Sequence, residues 1–242
     1  MHSPEVPLIR PRRIWLRRAG FGLAAIALAA TPYVLYGPRR PSLPLRTWVD
    51  GPSPASASAV IVFLHGRGST IARIEWLAKA LRDAGLGSDV AIALVEAPFS
   101  TGLGHSWGDT AAEQATSRAR LRARLAELLG TSEVGRKRLV IAGFSQGAGM
   151  AIDLAVEEPR ISALASFSPC YSHLRGELPK RDRLRVLLAH GARDTRCPVI
   201  ESRSLAQVLK EAHRQVEYIE FDGAHTIPPE VVRALAALTM AP

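Results

Sequence analysis

The chain has 242 residues, and 47% of them are hydrophobic, which is enough for one α/β domain with a well-buried core. Its formal net charge of +9 raises the question of nucleic-acid binding. The location of the charge argues against it, because residues 1–46 carry a net +7 and the remaining residues only +2. We therefore expect no nucleic-acid partner.

The N-terminal segment has the pattern of a membrane-targeting sequence. Arginines at positions 12, 13, 17 and 18 precede an apolar run over residues 19–36, as in export signals. The arginine pair is similar to a bacterial twin-arginine signal, and the Ala-Leu-Ala run at 27–29 offers a cleavage site. The run is also near the lower length limit of a membrane span, about 17 residues. A cleaved signal and an uncleaved anchor therefore both stay open, beside a leader that packs on the domain.

Either membrane alternative predicts a cytoplasmic N-terminus and places the rest of the chain in the periplasm, beyond the bacterial inner membrane. The inner membrane or its export machinery is then a partner of the leader. Residues 37–58 contain five prolines and form a linker, in which Thr47-Trp48-Val49 is expected to be a short strand on the sheet edge. We place the leader and the start of the linker in 1–46 and one folded domain in 47–242.

The first buried strand ends in a glycine-rich loop. The apolar run from Val60 to Leu64 leads into His65-Gly66-Arg67-Gly68. Further along, the sequence predicts a strand over 89–96, a loop over 98–109 that contains Trp107, and a helix over 111–129. Strands that alternate with helices in this way predict a mostly parallel sheet with helices on both faces.

The run Gly143-Phe144-Ser145-Gln146-Gly147 follows an apolar strand and precedes a segment of small residues that predicts a helix. This is G-x-S-x-G in the strand–turn–helix setting of a serine nucleophile. A hydroxyl is a weak nucleophile and needs a base, which in turn needs an orienting group. The pattern therefore predicts a serine hydrolase with Ser145 as its nucleophile. The structural alternative is a glycine-rich turn between strand and helix that serves only packing.

An acid and a base follow in the order that such a serine requires. Asp194 comes just after the apolar strand that ends at His190-Gly191, and His225 comes after the strand that ends near Phe221. Asp222 is the competing acid because it is close to His225 in sequence. Asp153 is a weaker candidate, because it falls inside the helix after Ser145 and is expected to point away from this edge. His190 is expected to pack under the Asp194 loop. A further strand over 163–168 and a further helix over 200–212 complete the pattern.

Together these motifs resemble the carboxylesterase/phospholipase branch of the α/β-hydrolases, which includes acyl-protein thioesterases. The resemblance spans roughly residues 59–242, and its matching pieces are Leu64-His65-Gly66-Arg67-Gly68, Ser106-Trp107, Gly143-Phe144-Ser145-Gln146-Gly147, His190-Gly191-Ala192-Arg193-Asp194 and Gly223-Ala224-His225. It implies an α/β-hydrolase fold. A departure is Arg67, where that branch often carries leucine.

The resemblance also implies roles for the surrounding residues. The backbone N–H groups of Arg67 and Gln146 are expected to form the oxyanion hole. His65, Gly66 and Trp107 are expected to line the substrate pocket, although Trp107 could equally anchor the following helix in the core.

The predicted function is hydrolysis of carboxylic or thio esters of small molecules through an acyl-enzyme intermediate. No cofactor and no metal are expected, and the oligomeric state is not predicted. An acyltransferase or a peptidase could use the same triad, and a non-catalytic binding protein could share the fold.

The two cysteines, Cys170 and Cys197, each follow the end of a predicted strand. If those strands are neighbours, both cysteines lie on one edge of the sheet and a disulfide can form, which an exported protein would favour. The alternative is a pair of buried thiols.

Overall fold

A seven-stranded sheet forms the centre of the computed structural model, which describes residues 41, 44–130, 138–170 and 184–241. The described residues all belong to one unit, Pro41–Pro242. The described residues form nine strands: β1 (Thr47–Asp50), β2 (Ala59–Leu64), β3 (Val90–Val95), β4 (Phe99–Thr101), β5 (Gly104–Ser106), β6 (Arg138–Phe144), β7 (Ile161–Phe167), β8 (Arg185–Gly191) and β9 (Val216–Phe221). The five α-helices are α1 (Trp76–Asp83), α2 (Ala111–Leu129), α3 (Gln146–Glu157), α4 (Val199–Glu211) and α5 (Pro229–Met240).

The strand order of the sheet is β1-β3-β2-β6-β7-β8-β9. Six strands run parallel, and β1 pairs antiparallel with β3 at the edge. The central strands β2 and β3 are buried at every position, because a parallel sheet covered on both faces needs continuous apolar runs. Strands β4 and β5 form a separate hairpin. The predicted, mostly parallel sheet is confirmed, as is the edge strand.

Helices cover both faces of the sheet. Val60, Val62 and Leu64 of β2 pack in one cluster with apolar residues of α2, α3 and α4. Ile61 and Phe63 point to the other face and pack with α1 and α5. The alternation follows from the period of two in a strand, so one short strand supplies both halves of the core.

The carboxyl ends of the parallel strands meet at one edge, where ligands of open α/β sheets bind. The loops after β2, β6, β7, β8 and β9 all begin there. The predicted catalytic residues Ser145, Asp194 and His225 therefore all lie at this edge of the sheet.

The predicted membrane leader lies outside the described residues. Within the ranges that are described, no helix is long and apolar enough to cross a membrane. The prediction of a signal peptide or transmembrane anchor is corrected to this finding, and the inner-membrane partner stays a prediction. The domain boundary at residues 46 and 47 and the periplasmic location stay predictions.

Candidate active site

Ser145 occupies a sharp turn between β6 and α3. Its backbone has φ 59° and ψ −122°, a conformation that residues with a Cβ adopt only when their surroundings enforce it. The flanking glycines make the turn possible, because a Cβ on Gly143 would overlap the backbone of Gly147, and one on Gly147 would overlap the carbonyl groups of Leu64 and His65. The turn at Ser145 therefore packs directly against the main chain at the end of β2 and the start of the following loop.

The main chain and the hydroxyl of Ser145 have separate neighbours. The N–H of Ser145 donates to the carbonyl of Phe167 at 2.9 Å, and its own carbonyl accepts from the N–H of Cys170 at 3.2 Å. The Oγ atom lies 3.6 Å from Sγ of Cys170. The end of β7 and the loop that follows it thus hold the main chain of the turn.

Asp194 and His225 are directly hydrogen-bonded. Nδ1 of His225 lies 2.6 Å from Oδ2 of Asp194, whose side chain is fully buried, while that of His225 is 9% exposed. The second oxygen of Asp194, Oδ1, accepts from the N–H groups of Arg196 at 2.8 Å and Cys197 at 3.0 Å. Burial acts to raise the pKa of Asp194, but the hydrogen bonds from Cys197, His225 and Arg196 outweigh it and hold that pKa below its ordinary value.

The competing acids have other partners. Asp222 has an 83% exposed side chain and pairs with Arg193. Asp153 lies inside α3 and lies 3.5 Å from Arg118. Among the acidic groups that the sequence proposed, only Asp194 contacts His225 in the described structure.

His190 is a second histidine on the carboxylate of Asp194. Its Nε2 lies 3.3 Å from Oδ2 of Asp194 and 3.0 Å from the carbonyl oxygen of Cys197. Both oxygens are acceptors, so we assign the proton to Nε2. Nδ1 then accepts from the hydroxyl of Ser202 at 2.7 Å. The sequence predicts a packed histidine here but not its hydrogen bonds.

Cys170 and Cys197 are joined by a disulfide, with Cα atoms 5.3 Å apart. The bridge links the loop that supports Ser145 to the loop that carries Asp194. A ring nitrogen of His225 lies within 4.8 Å of both sulfur atoms. That grouping has the spacing of a metal site, but disulfide sulfurs are not thiolate ligands.

The loop after β2 is fixed by the buried imidazole of His65. Nε2 accepts from the N–H of Ala97 at 3.0 Å, and Nδ1 lies 2.8 Å from the carbonyl of Gly66, to which it donates. Burial lowers the pKa of His65 to about 4, although the Gly66 hydrogen bond and the charge of Glu96 act in the opposite direction. This neutral histidine orders the loop that presents the N–H of Arg67.

The expected oxyanion donors have no competing partner. Neither Arg67 N–H nor Gln146 N–H has an acceptor among the described residues. Gln146 is held by its side chain, whose Nε2 donates to the carbonyl of Gly108 at 2.8 Å and whose Oε1 accepts from the N–H of Trp107 at 2.9 Å. The side chain of Gln146 therefore connects the start of α3 to the loop after β5.

Trp107 is a core residue and not a pocket wall. Its side chain is fully buried, and Nε1 donates to the carbonyl of His65 at 2.7 Å. It lines neither of the two cavities that reach Ser145. The pocket assignment of Trp107 is corrected accordingly, because its indole packs on the main chain of the β2 loop and borders neither cavity at Ser145.

Two cavities open at Ser145 and His225. The larger, of about 600 Å³, has a rim of polar residues and the disulfide: Arg67, Gly108, Asp109, Ala111, Gln114, Ser145, Gln146, Cys170, Arg196 and His225. The smaller, of about 270 Å³, includes His65 and Gly66 with the apolar side chains of Phe63, Ile74 and Trp76. Asp109, Gln114 and Arg196 belong to no motif of the sequence, so only the structure shows that they line this cavity.

Arg67 lines the larger cavity and forms an ion pair with Asp109, which lines it too. Nε of Arg67 donates to Oδ1 of Asp109 at 2.9 Å, and a terminal nitrogen, Nη2, donates to Oδ2 at 2.9 Å. This bidentate hydrogen bond is the main cause of the raised pKa of Arg67. The N–H of Asp109 in turn donates to Glu113 in the first turn of α2, so the departure from the family pattern at Arg67 is accommodated by an ion pair.

Comparison with known proteins is consistent with this architecture. The sequence matches the model of the phospholipase/carboxylesterase family over residues 106–240, and no curated protein matches it significantly. Esterase PE8 has a similar structure, with a TM-score of 0.67 and 25% identity over 81% of this chain and 97% of that chain.

Two further structures share the fold at 20% identity. A phospholipase/carboxylesterase from Dyadobacter fermentans has a TM-score of 0.64 and covers 84% of this chain and 98% of its own. Acyl-protein thioesterase 2 from Zea mays has a TM-score of 0.61, with 79% and 96% covered. These similarities confirm the predicted α/β-hydrolase fold. Because the family match spans more than half of the sequence, the chain belongs to the phospholipase/carboxylesterase family and is a carboxylesterase-type hydrolase.

Proposed function

We propose that Ser145, His225 and Asp194 form a catalytic triad that cleaves carboxylic or thio esters through an acyl-enzyme. Ester hydrolysis in general follows from the family, and the roles of these residues are the proposal. The observation that carries it is the 2.6 Å contact between His225 and the buried Asp194, beside a cavity that Ser145 and His225 share.

In the first half-reaction His225 is the base. Its Nδ1 is engaged by Asp194, which leaves Nε2 to take the proton from Ser145 as the serine oxygen attacks the ester carbonyl. The N–H groups of Arg67 and Gln146 hold the resulting oxyanion. Collapse of the tetrahedral intermediate expels the alcohol or thiol, which leaves with the proton from His225.

In the second half-reaction water replaces the leaving group. His225 removes a proton from the water as it attacks the acyl carbonyl, and the second tetrahedral intermediate releases the acid. Ser145 regains its proton from His225, so the enzyme returns to its starting state. Asp194 stays ionised throughout, which its lowered pKa supports at neutral pH.

The Ser145 hydroxyl contacts Cys170 in the free structure. Catalytic hydrogen bonds often align only when substrate binds. We therefore expect the Ser145–His225 hydrogen bond to form in the substrate complex, and the test must be chemical.

A fluorophosphonate probe applied to the full-length chain tests the assignment. We expect one modified peptide, carrying Ser145, and loss of labelling in Ser145→Ala and His225→Ala. Hydrolysis of 4-nitrophenyl acetate should fall by about 10⁴-fold in Asp194→Asn, as for an acid that fixes the tautomer of its histidine. Ser56→Ala, at an exposed serine, is the matched control and should behave as the wild type.

Three outcomes would contradict the proposal. Full activity in Ser145→Ala would exclude this nucleophile, and absence of labelling in folded protein would favour a binding protein. Transfer of the acyl group to added alcohols in preference to water would favour an acyltransferase.

A further inference from the structure

Two arginines lie beside the proposed nucleophile and base. The two cavities at the site share four lining residues: Arg67, Ser145, Arg196 and His225. An ester bound at Ser145 therefore has an arginine available on the path into either cavity.

The two arginines differ in how their charge is compensated. The guanidinium of Arg67 is paired with both oxygens of Asp109. The side chain of Arg196 is exposed, and no described residue forms a hydrogen bond or ion pair with its guanidinium. Asp109 is the only acidic residue among the described residues that line either cavity. A third arginine, Arg73, lines only the smaller cavity and donates to the carbonyl of Gly68. Among the described arginines that line either cavity, Arg196 is thus the one whose guanidinium has no hydrogen-bond acceptor.

The main chain of Arg196 is nevertheless fixed. Its N–H donates to Oδ1 of Asp194 at 2.8 Å, and the next residue, Cys197, is held by the disulfide to Cys170. The side chain therefore starts from a rigid point beside the triad acid. Such anchoring reduces the ordering cost of an arginine that binds an anion.

We propose that Arg196 binds an anionic group of the substrate, a carboxylate or a phosphate close to the scissile ester. The inference rests on the proposed function, since it concerns the same site and adds the substrate class. Guanidinium groups suit both anions because their parallel N–H groups match two oxygens at once. Neutral esters would still reach Ser145, but without this contact.

Matched ester pairs test the inference on the full-length enzyme. The acyl side is tested by 4-nitrophenyl hydrogen adipate against 4-nitrophenyl hexanoate. The leaving-group side is tested by 4-acetoxybenzoate and 4-acetoxyphenyl phosphate against methyl 4-acetoxybenzoate. The measured quantity is the anionic-to-neutral ratio of kcat/KM, compared between variant and wild type so that intrinsic reactivity cancels. The pair that responds also identifies the anion and its side of the ester.

We expect Arg196→Gln to lower that ratio about tenfold for at least one pair, the effect of losing one charge-assisted hydrogen bond. Arg196→Lys should retain part of the preference. Salt should weaken the wild-type ratio because the arginine is exposed. Arg233→Gln removes the same charge from an exposed position on α5 and should leave the ratio unchanged.

The outcomes separate the two proposals. An unchanged ratio in Arg196→Gln for all pairs, or an equal loss in Arg233→Gln, would overturn the role of Arg196. Hydrolysis of the neutral esters that depends on Ser145 would still support the triad in that case. If the wild type hydrolysed no ester at all, the proposed function would fail and this inference with it.

Discussion

The imidazole of His190 lies 3.3 Å from the carboxylate of Asp194, measured from Nε2 to Oδ2. The same oxygen also contacts His225, and the other oxygen accepts from two main-chain N–H groups. A carboxylate with donors on both oxygens is held in one orientation. His190 therefore helps to position Asp194 in the proposed triad, although it lines neither of the two cavities at Ser145.

Replacing His190 should disturb the triad through Asp194. His190→Phe removes the imidazole that lies 3.3 Å from the carboxylate. It also leaves the hydroxyl of Ser202 buried without its acceptor, so stability should fall by about 1–3 kcal/mol. With less charge withdrawn from Asp194, the carboxylate should stabilise protonated His225 more strongly. The acid limb of the kcat/KM profile should then move to higher pH while KM changes little.

His190→Gln is the conservative control, because its amide can donate to Asp194 and accept from Ser202. It should restore part of the wild-type pH profile. A residue that only fills space would alter stability in both variants and leave the acid limb unmoved, which would contradict the positioning role.

Reduction of the Cys170–Cys197 bridge should lower both stability and activity. The bridge spans 27 positions, a closure worth about 3–4 kcal/mol in the chain-entropy account. It also holds the main chain of Cys197, whose N–H donates to Asp194. We expect dithiothreitol to lower the unfolding midpoint and kcat together, measured by thermal denaturation and ester hydrolysis. A Cys170→Ala/Cys197→Ala double variant should start from the lower values and respond to the reductant no further.

The buried His65 makes stability depend on pH. Its folded pKa of about 4 lies below the ordinary 6.5, so the unfolded chain binds more protons between these values. Stability is therefore complete above about pH 6.5 and decreases as the pH falls towards 4, by up to about 3 kcal/mol from this residue. His65→Gln, which can both donate and accept, should make the unfolding free energy depend less steeply on pH in that window. An unchanged slope would show that other groups dominate.

The glycine at 147 should not tolerate alanine, despite its place in helix α3. Alanine in a helix interior is ordinarily favoured over glycine by about 1 kcal/mol. Here its Cβ would overlap the Leu64 carbonyl and lie 2.5 Å from that of His65, and backbone cannot yield as a side chain can. Gly147→Ala should therefore lower the unfolding midpoint and kcat sharply. Gly102→Ala, with no atom within 4 Å of its Cβ, is the control and should be nearly neutral.

The sequence is sufficient for the sheet and for placing the three proposed triad residues at its edge, because each of them follows a recognisable strand. Ser145 and Asp194 follow continuous apolar runs, and His225 follows an alternating strand of β-branched and aromatic residues, VEYIEF. The helix over Ala111–Leu129 was also predicted at its observed bounds. Side-chain directions were harder. The sequence pattern favours Trp107 as a pocket residue, yet its indole hydrogen-bonds to the main chain of His65. Nothing in the sequence of the Arg196 loop indicates which cavity that side chain reaches.

The backbone conformation of Ser145 reduces the stability of the fold, whereas the proposed reaction requires a serine at this position. Its positive φ costs about 1–3 kcal/mol in a residue with a Cβ, and glycine would relieve that cost. Ser145→Gly is thus expected to melt at a higher temperature than Ser145→Ala, which keeps the Cβ, although neither would have a nucleophile. Selection for stability alone would therefore favour glycine at this position, and in the proposed mechanism only the reaction favours serine.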